Sequence, residues 1–262
     1  SSNKGNVMNV KYLRIISTAV AVFAWLGLQS QANTFFNGGT ADWNTPASWD
    51  NGVPGSTDNR GWIRTSGTLN VSSTPLNSGS NPRIKSFDGN NYNVGDVTIN
   101  WNPGAASTYI FDQVVWGDNN RGSSATIFNH QSGTIRADSG WYHIARRGTA
   151  TYTMTGTAVI QPDDRLSIAE GANGGPSNGV LIMRDSSKVD GQTTRVGNSD
   201  YFIGHNSVAN GWLKMYDDSV FDVQRLEVGR QNSAQGTIEQ NGNSRITIGL
   251  EIDAFGHQND AK

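Results

Sequence analysis

A recurring phrase, glycine punctuation and two-residue alternation predict a right-handed parallel β-helix with about three short strands per coil. The phrase is an apolar residue, then Gly or Ala, then usually a charged or imidazole residue. It occurs as Ile144-Ala145-Arg146, Ile168-Ala169-Glu170, Ile203-Gly204-His205, Val228-Gly229-Arg230 and Phe255-Gly256-His257, spaced 24, 35, 25 and 27 residues apart. A sixth, Trp116-Gly117-Asp118, lies 28 residues before the first. Self-similarity at such a period marks a repeat array in which each unit buries its apolar face against the next.

The first segment is unlike the rest. Lys11 and Arg14 precede an apolar run from Ile15 to Leu28, and Ser30-Gln31-Ala32 places small residues at a cut after Ala32. That order is a secretory leader, so residues 1–32 are expected to be a signal peptide, with residues 1–7 an upstream extension before Met8. The apolar run is shorter than the ~20 residues a membrane span needs. No span is expected in the mature chain, whose localisation is expected to be secreted, extracellular or at the cell surface.

Residues 33–100 are irregular and rich in Trp43, Trp49, Trp62 and turn clusters such as Asp50-Asn51-Gly52. They are expected to form the N-terminal cap and first coils, because an uncovered solenoid end exposes a row of strand hydrogen-bonding groups. Residues 101–262 are expected to be coils, ending within one at Lys262. Restart glycines follow the phrases at Gly148, Gly179, Gly211 and Gly236. Beyond them the residues alternate, as in Gly211-Trp-Leu213-Lys-Met215 and Gly236-Thr-Ile238-Glu-Gln240, the period of a half-buried strand. Stacking then predicts buried ladders of Leu181, Leu213 and Ile238 and of Val189, Phe221 and Ile246. A serine row of Ser187, Ser219 and Ser244 is expected at a bend. Helical spacing is absent outside the leader.

Composition narrows the function classes. Of 262 residues 35% are hydrophobic and 31 are Gly, which suits a thin core running along an array rather than one thick core. Eight Trp and regularly spaced β-branched runs argue against disorder. No cysteine excludes disulfides and thiol chemistry. A net charge of −2, without a basic stripe, argues against nucleic-acid binding.

The segment from Phe36 through Asp58, with Trp43, Trp49, Pro54 and Asp58 ahead of glycine-rich coils, resembles the mature N-terminus of autotransporter-type β-helix repeat proteins. It also resembles bacterial surface proteins carrying a Pro-Glu-Pro C-terminal sorting signal. The coil Gly236-Thr-Ile-Glu-Gln-Asn-Gly-Asn-Ser-Arg-Ile is similar to their repeats. The resemblance implies a secreted β-helix with adhesive or structural work at a cell surface or in a matrix. Neither a sorting motif nor an outer-membrane barrel is present in these residues.

Two sets of residues carry candidate chemistry. Asp185 and Asp217 fall in register, two residues after Met183 and Met215, and Asp163-Asp164 and Asp217-Asp218 lie in or near turns. Stacked carboxylates would serve a carbohydrate-active β-helix, a polysaccharide lyase or glycoside hydrolase, if a base joined them; Asp is also a turn-former. The row Arg146, Glu170, His205, Arg230 and His257 would grip an anionic glycan, or would stand as exposed residues after a tight turn. Trp141, Tyr142, Tyr201 and Trp212, read as loop aromatics, would stack on sugar rings or serve as core or cap residues. Histidines two coils apart stand ~10 Å from each other, too far to share zinc. No metal or other cofactor is expected. The sequence therefore predicts a surface adhesin or extracellular scaffold without catalysis. Its expected partners are a polysaccharide, a host or neighbouring cell surface, and further copies joined end to end.

Overall fold

A computed structural model of the chain describes residues 34–51, 53, 61–63, 65–72, 83–89, 96–117, 125–138, 140–172, 175–191, 200–206, 208–231 and 233–253. The expected leader, the phrase at 255–257 and Asp118 lie outside them. Among the described residues there is no α-helix, and none is long and apolar enough to cross a membrane.

The chain is an all-β parallel solenoid built on two sheets. The eight-stranded sheet stacks β2 (Gly39–Asp42), β4 (Gly67–Val71), β6 (Val97–Trp101), β8 (Ala125–His130), β11 (Thr149–Met154), β14 (Ser177–Met183), β17 (Ala209–Met215) and β19 (Gln235–Gln240). The twelve-stranded sheet begins with β1 (Thr34–Phe36), β3 (Gly61–Ile63), β5 (Arg83–Gly89) and β7 (Thr108–Trp116). It then divides into two rows. One holds β9 (Thr134–Ala137), β12 (Val159–Pro162) and β15 (Lys188–Asp190); the other holds β10 (Trp141–Ile144), β13 (Arg165–Ile168) and β16 (Asp200–Ile203). The rows rejoin in β18 (Val220–Val228), which pairs with β20 (Arg245–Asp253).

Three strands per coil therefore hold for the coils of β8–β10, β11–β13 and β14–β16. In the coils of β17–β18 and β19–β20 the second and third strands run together, because no loop intervenes; a register shift between Val223 and Arg225 absorbs the bend. The predicted ladders form, with their last members, Ile238 and Ile246, half-buried. Leu181 pairs with Leu213 and Leu213 with Ile238. Val189 pairs with Phe221 and Phe221 with Ile246. Ser187, Ser219 and Ser244 are buried, and each follows a turn that leads into the next strand.

Inward residues change character along the core. Trp43, Trp101, Phe128 and Tyr152 pack in sequence, with ring centroids 6.0, 5.9 and 4.4 Å apart. Further along, Leu181, Met183, Leu213 and Met215 replace the rings. Near the N-terminal end the 37–50 segment folds over the core through a short 3-10 turn at Pro46–Ser48. Trp49 Nε1 donates to Trp43 O at 2.9 Å, and both rings are buried. Residues 34–100, expected to be cap and irregular coils, already supply strands to both sheets.

The recurring phrase has a backbone cause. Its second residue is left-handed throughout: Gly117, Ala145, Ala169, Gly204 and Gly229 have φ of 63, 59, 65, 75 and 67°. Glycine takes this conformation without penalty, and alanine takes it at a cost. The restart glycines answer a different demand. Gly179, Gly211 and Gly236 stack in register, and a Cβ on Gly211 would lie 2.4 Å from both Gly204 N and Ile168 O. Gly148 does not belong to this row. Ala150 pairs with Gly179 instead, where the facing turn residue Gly117 lacks a side chain.

These contacts separate two glycine roles by experiment. Gly211→Ala is expected to cost about 3 kcal/mol by overpacking. Ala169→Gly, which relieves a left-handed alanine, is expected to gain about 1 kcal/mol. Urea midpoints read both; a stabilising Gly211→Ala would contradict the close approach.

Candidate functional site

The second row of the twelve-stranded sheet carries most of the predicted binding residues. In β10, β13, β16 and the C-terminal half of β18 the inward residues are Tyr142, Leu166, Tyr201 and Leu226, followed two places on by Ile144, Ile168, Ile203 and Val228. The residues between them point outward: His143, Ser167, Phe202 and Glu227. These outward side chains are nonetheless buried. A second layer of side chains covers them.

That layer is a stack of rings and charges. Trp141 lies parallel to His143, with centroids 5.0 Å apart, and the Arg165 guanidinium sits 4.4 Å from its centroid. Phe202 stacks on His205 at 4.1 Å, with Arg230 4.9 Å from the Phe202 centroid. Both rings therefore have partners within the protein. Carboxylates join the layer: Glu170 Oε2 is 2.9 Å from His143 Nδ1 and 3.4 Å from Arg146 Nε. Glu227 holds Arg230 at 3.0 Å, and Asp200 holds Arg225 at 3.1 Å.

The turn row is in register, as predicted. Glu170, His205 and Arg230 each donate their backbone N–H to the left-handed residue of the preceding coil, Ala145, Ala169 and Gly204. Glu170 and His205 are buried rather than exposed, because the Arg and aromatic side chains close over them. Burial alone would raise the Glu170 carboxyl; contact with His143, then Arg146 and His205, overrides it and holds the group below its usual value. Burial first, and Arg230 second, bring His205 down to about 4.

The predicted aromatics occupy strands, not loops. Trp141 is on the outer face described above. Tyr201 is a core residue whose hydroxyl donates toward Pro162 O and Gly191 O, each at 3.2 Å. It has no surface on which to stack a sugar. Tyr142 is likewise buried. Trp212 stands apart from the cluster, on the outer face of the eight-stranded sheet, and is 41% exposed. Parity with the phrase would have sorted these rings: two places before Ile144 or Ile203 is inward, and one or three places before is outward.

Asp185 and Asp217 occupy left-handed turns, with φ of 56 and 58°. Gly156 and Gly242 hold corresponding turns at 57 and 69°, so the carboxylate ladder ends where glycine serves the same conformation. Gly156 N donates to Asp185 Oδ2 at 2.8 Å, and Asp185 N donates to Asp217 Oδ2 at 3.1 Å. Each Asp thus caps the turn of the neighbouring coil, the ordinary use of an Asx side chain. Among the described residues no group of three His, Asp or Glu is placed to hold a metal ion.

Sequence reasoning missed one polar chain in the core. His130 Nε2 donates to Gly133 O at 2.9 Å, which leaves Nδ1 to accept from the Tyr152 hydroxyl at 2.9 Å. Tyr142 OH donates to Tyr152 OH at 3.0 Å. Burial, partly opposed by the backbone at Gly133 and Ser132, lowers His130 to about 3. Its register with Trp101 and Met154 was the available signal of an inward position.

Comparison with family models, curated proteins and solved structures finds no match to this chain.

The buried imidazole sets a pH dependence. The unfolded chain binds a proton on His130 as pH falls below 6.5, and the folded chain resists it down to about 3. Stability from this group is full above pH 6.5 and falls by about 1.4 kcal/mol per unit below it. His205 acts in the same direction. His130→Gln keeps a donor and an acceptor but does not titrate, so its chemical-denaturation midpoint should vary less between pH 6.5 and 4 than that of the wild type. Equal slopes would contradict the assignment.

Proposed function

We propose that the chain is a secreted β-solenoid that works as a surface adhesin or extracellular scaffold, without catalysis. The use made of its carboxylates carries this reading. Asp185 and Asp217 accept from turn amides. Glu170, Asp200 and Glu227 each face an arginine, Arg146, Arg225 and Arg230, at 3.0 to 3.4 Å. General acid–base chemistry on a sugar needs two such groups converging on a cleft and free to exchange protons. Here the acids hold coils together. The leader-like residues 1–32 support export, and a stiff array with repeated outward side chains supports multivalent attachment.

Asp217→Asn separates the two roles a carboxylate could have. In the scaffold reading it lowers the melting temperature by a few degrees and leaves glycan-array binding unchanged, with no unsaturated product released from polygalacturonate by either protein. Product formed by the wild type and lost in Asp185→Asn or Asp217→Asn would instead establish a polysaccharide lyase.

A further inference from the structure

The outer face of the eight-stranded sheet differs from the stacked strip in every respect that matters for recognition. Its outward residues form columns along the coil axis, two running from β4 and a third, of Ala125, Thr149, Asn178 and Asn210, joining them at β8. One reads Thr68, Thr98, Ile127, Thr151, Val180 and Trp212, each paired in register with the next. Five strand spacings separate its ends, about 24 Å. Ile127 and Trp212 are 40% and 41% exposed. From β4 to β14 no outward position of this sheet carries a charge. The first charged pair is Lys214 with Glu239, 3.4 Å apart.

The second column begins with an asparagine ladder. Asn100 Nδ2 donates to Asn70 Oδ1, and Asn129 Nδ2 donates to Asn100 Oδ1, both at 2.9 Å. These bonds fix the amide planes. The central amide still has one N–H and one acceptor site to offer, at a spacing set by the coils. Beside it run Thr68, Thr98 and Ile127, and a second amide pair, Asn210 Nδ2 donating to Asn178 Oδ1 at 3.1 Å, lies beside Val180 and Trp212. The face therefore offers aligned hydrogen-bonding groups next to a narrow apolar track.

We infer that this face docks a neutral polysaccharide chain laid along the coil axis. The inference rests on the adhesive reading above and names its ligand class. A sugar polymer alternates C–H faces with hydroxyls, which matches the apolar track and the amide column. Neutrality follows from the face: from β4 to β14 a charged polymer would lose hydration and find no counter-charge, and Lys214, which lies 5.2 Å from the Trp212 ring, is already paired with Glu239 at 3.4 Å. A repeated ligand also gains from repeated weak contacts, since each coil adds one within reach of the last. The stacked strip on the other sheet lacks this opening, because Trp141 and Phe202 already carry Arg165, His143, His205 and Arg230.

Retention of the purified full chain on insoluble cellulose, chitin and β-1,3-glucan tests this, with polygalacturonate as the anionic comparator at low and high salt. Retention on a neutral polymer, insensitive to salt, is expected. Trp212→Ala and Ile127→Lys should each weaken it about tenfold, while Arg146→Ala combined with Arg230→Ala leaves it unchanged. Circular dichroism and melting temperature confirm that each variant folds. Binding confined to polygalacturonate, and lost in salt and in the double arginine variant, would overturn the inference and leave the adhesive reading standing. Full binding by folded Trp212→Ala and Ile127→Lys would overturn it too. Retention on none of the four polymers would sink the neutral-glycan inference; adhesion would then have to rest on protein contacts, which coated cell-surface protein in the same assay detects.

Discussion

One close backbone contact governs the later coils. Where a strand of the eight-stranded sheet begins, its inward residue meets the left-handed turn that ends the previous coil's last strand. At Gly211 the gap admits no Cβ, since Gly204 N and Ile168 O stand in its place. At Gly236 it is tighter, with Ile203 O 2.2 Å from where a Cβ would be. The turn must be left-handed to reverse direction within one residue, and the strand must be bare to let it approach. Phrase and restart glycine are two halves of one corner. Once the corner is fixed, alternation dictates which side chains enter the core, and stacking dictates which become neighbours.

The same contact explains why part of the fold was legible and part was not. Ladders such as Leu181–Leu213–Ile238 followed from glycines at a constant offset. Earlier coils fill the corner position with Val97, Thr126 and Ala150, so the restart signal fades although the register persists. Gly148 stands two places short of the row, because alanine, at Ala150, fills the corner in that coil. The adjacent aromatic pairs Trp141-Tyr142 and Tyr201-Phe202 posed a second difficulty. Composition makes both members look alike; only the parity set by Ile144 and Ile203 distinguishes the core ring from the surface ring. The outer cluster was half visible, through Arg146, Glu170, His205 and Arg230. His143, Phe202 and Glu227, one place before the phrase, were missed because an outward strand position reads as exposed until the neighbouring Arg and aromatic side chains close over it.

Buried polar groups show how such a thin core tolerates them. The chain from Tyr142 through Tyr152 to His130 closes on Gly133 O, so each donor has an acceptor and the imidazole stays neutral. A neutral, satisfied network costs little, whereas a charged one in the same place would be expensive. Placed between the ring-filled coils and the aliphatic ones, it links β8, β10 and β11 through side chains as well as through their backbone ladders.

The distribution of charge over the two outer faces leads to an inversion of the usual expectation. Charged and aromatic residues are the first candidates for binding, and here they crowd onto the second row of the twelve-stranded sheet. Yet their pairing at 2.9 to 3.4 Å and their ring stacking at 4.1 to 5.0 Å leave little to offer a ligand. A newcomer would have to break a pair before making one. That cluster braces successive coils against sliding, since His143 and Arg146 with Glu170, Asp200 with Arg225, Arg165 with Trp141 and Arg230 with Phe202 span neighbouring rungs. Among the described residues, the plain face from β4 to β14 carries no ion pair and no stacked ring; its side-chain pairing is between amides, and Lys214 meets Trp212 only at its end. Its groups are ordered by the coils, evenly spaced and open, so little conformational entropy remains to be lost on binding. In a solenoid, recognition falls to the face whose side chains the fold has aligned but not yet paired.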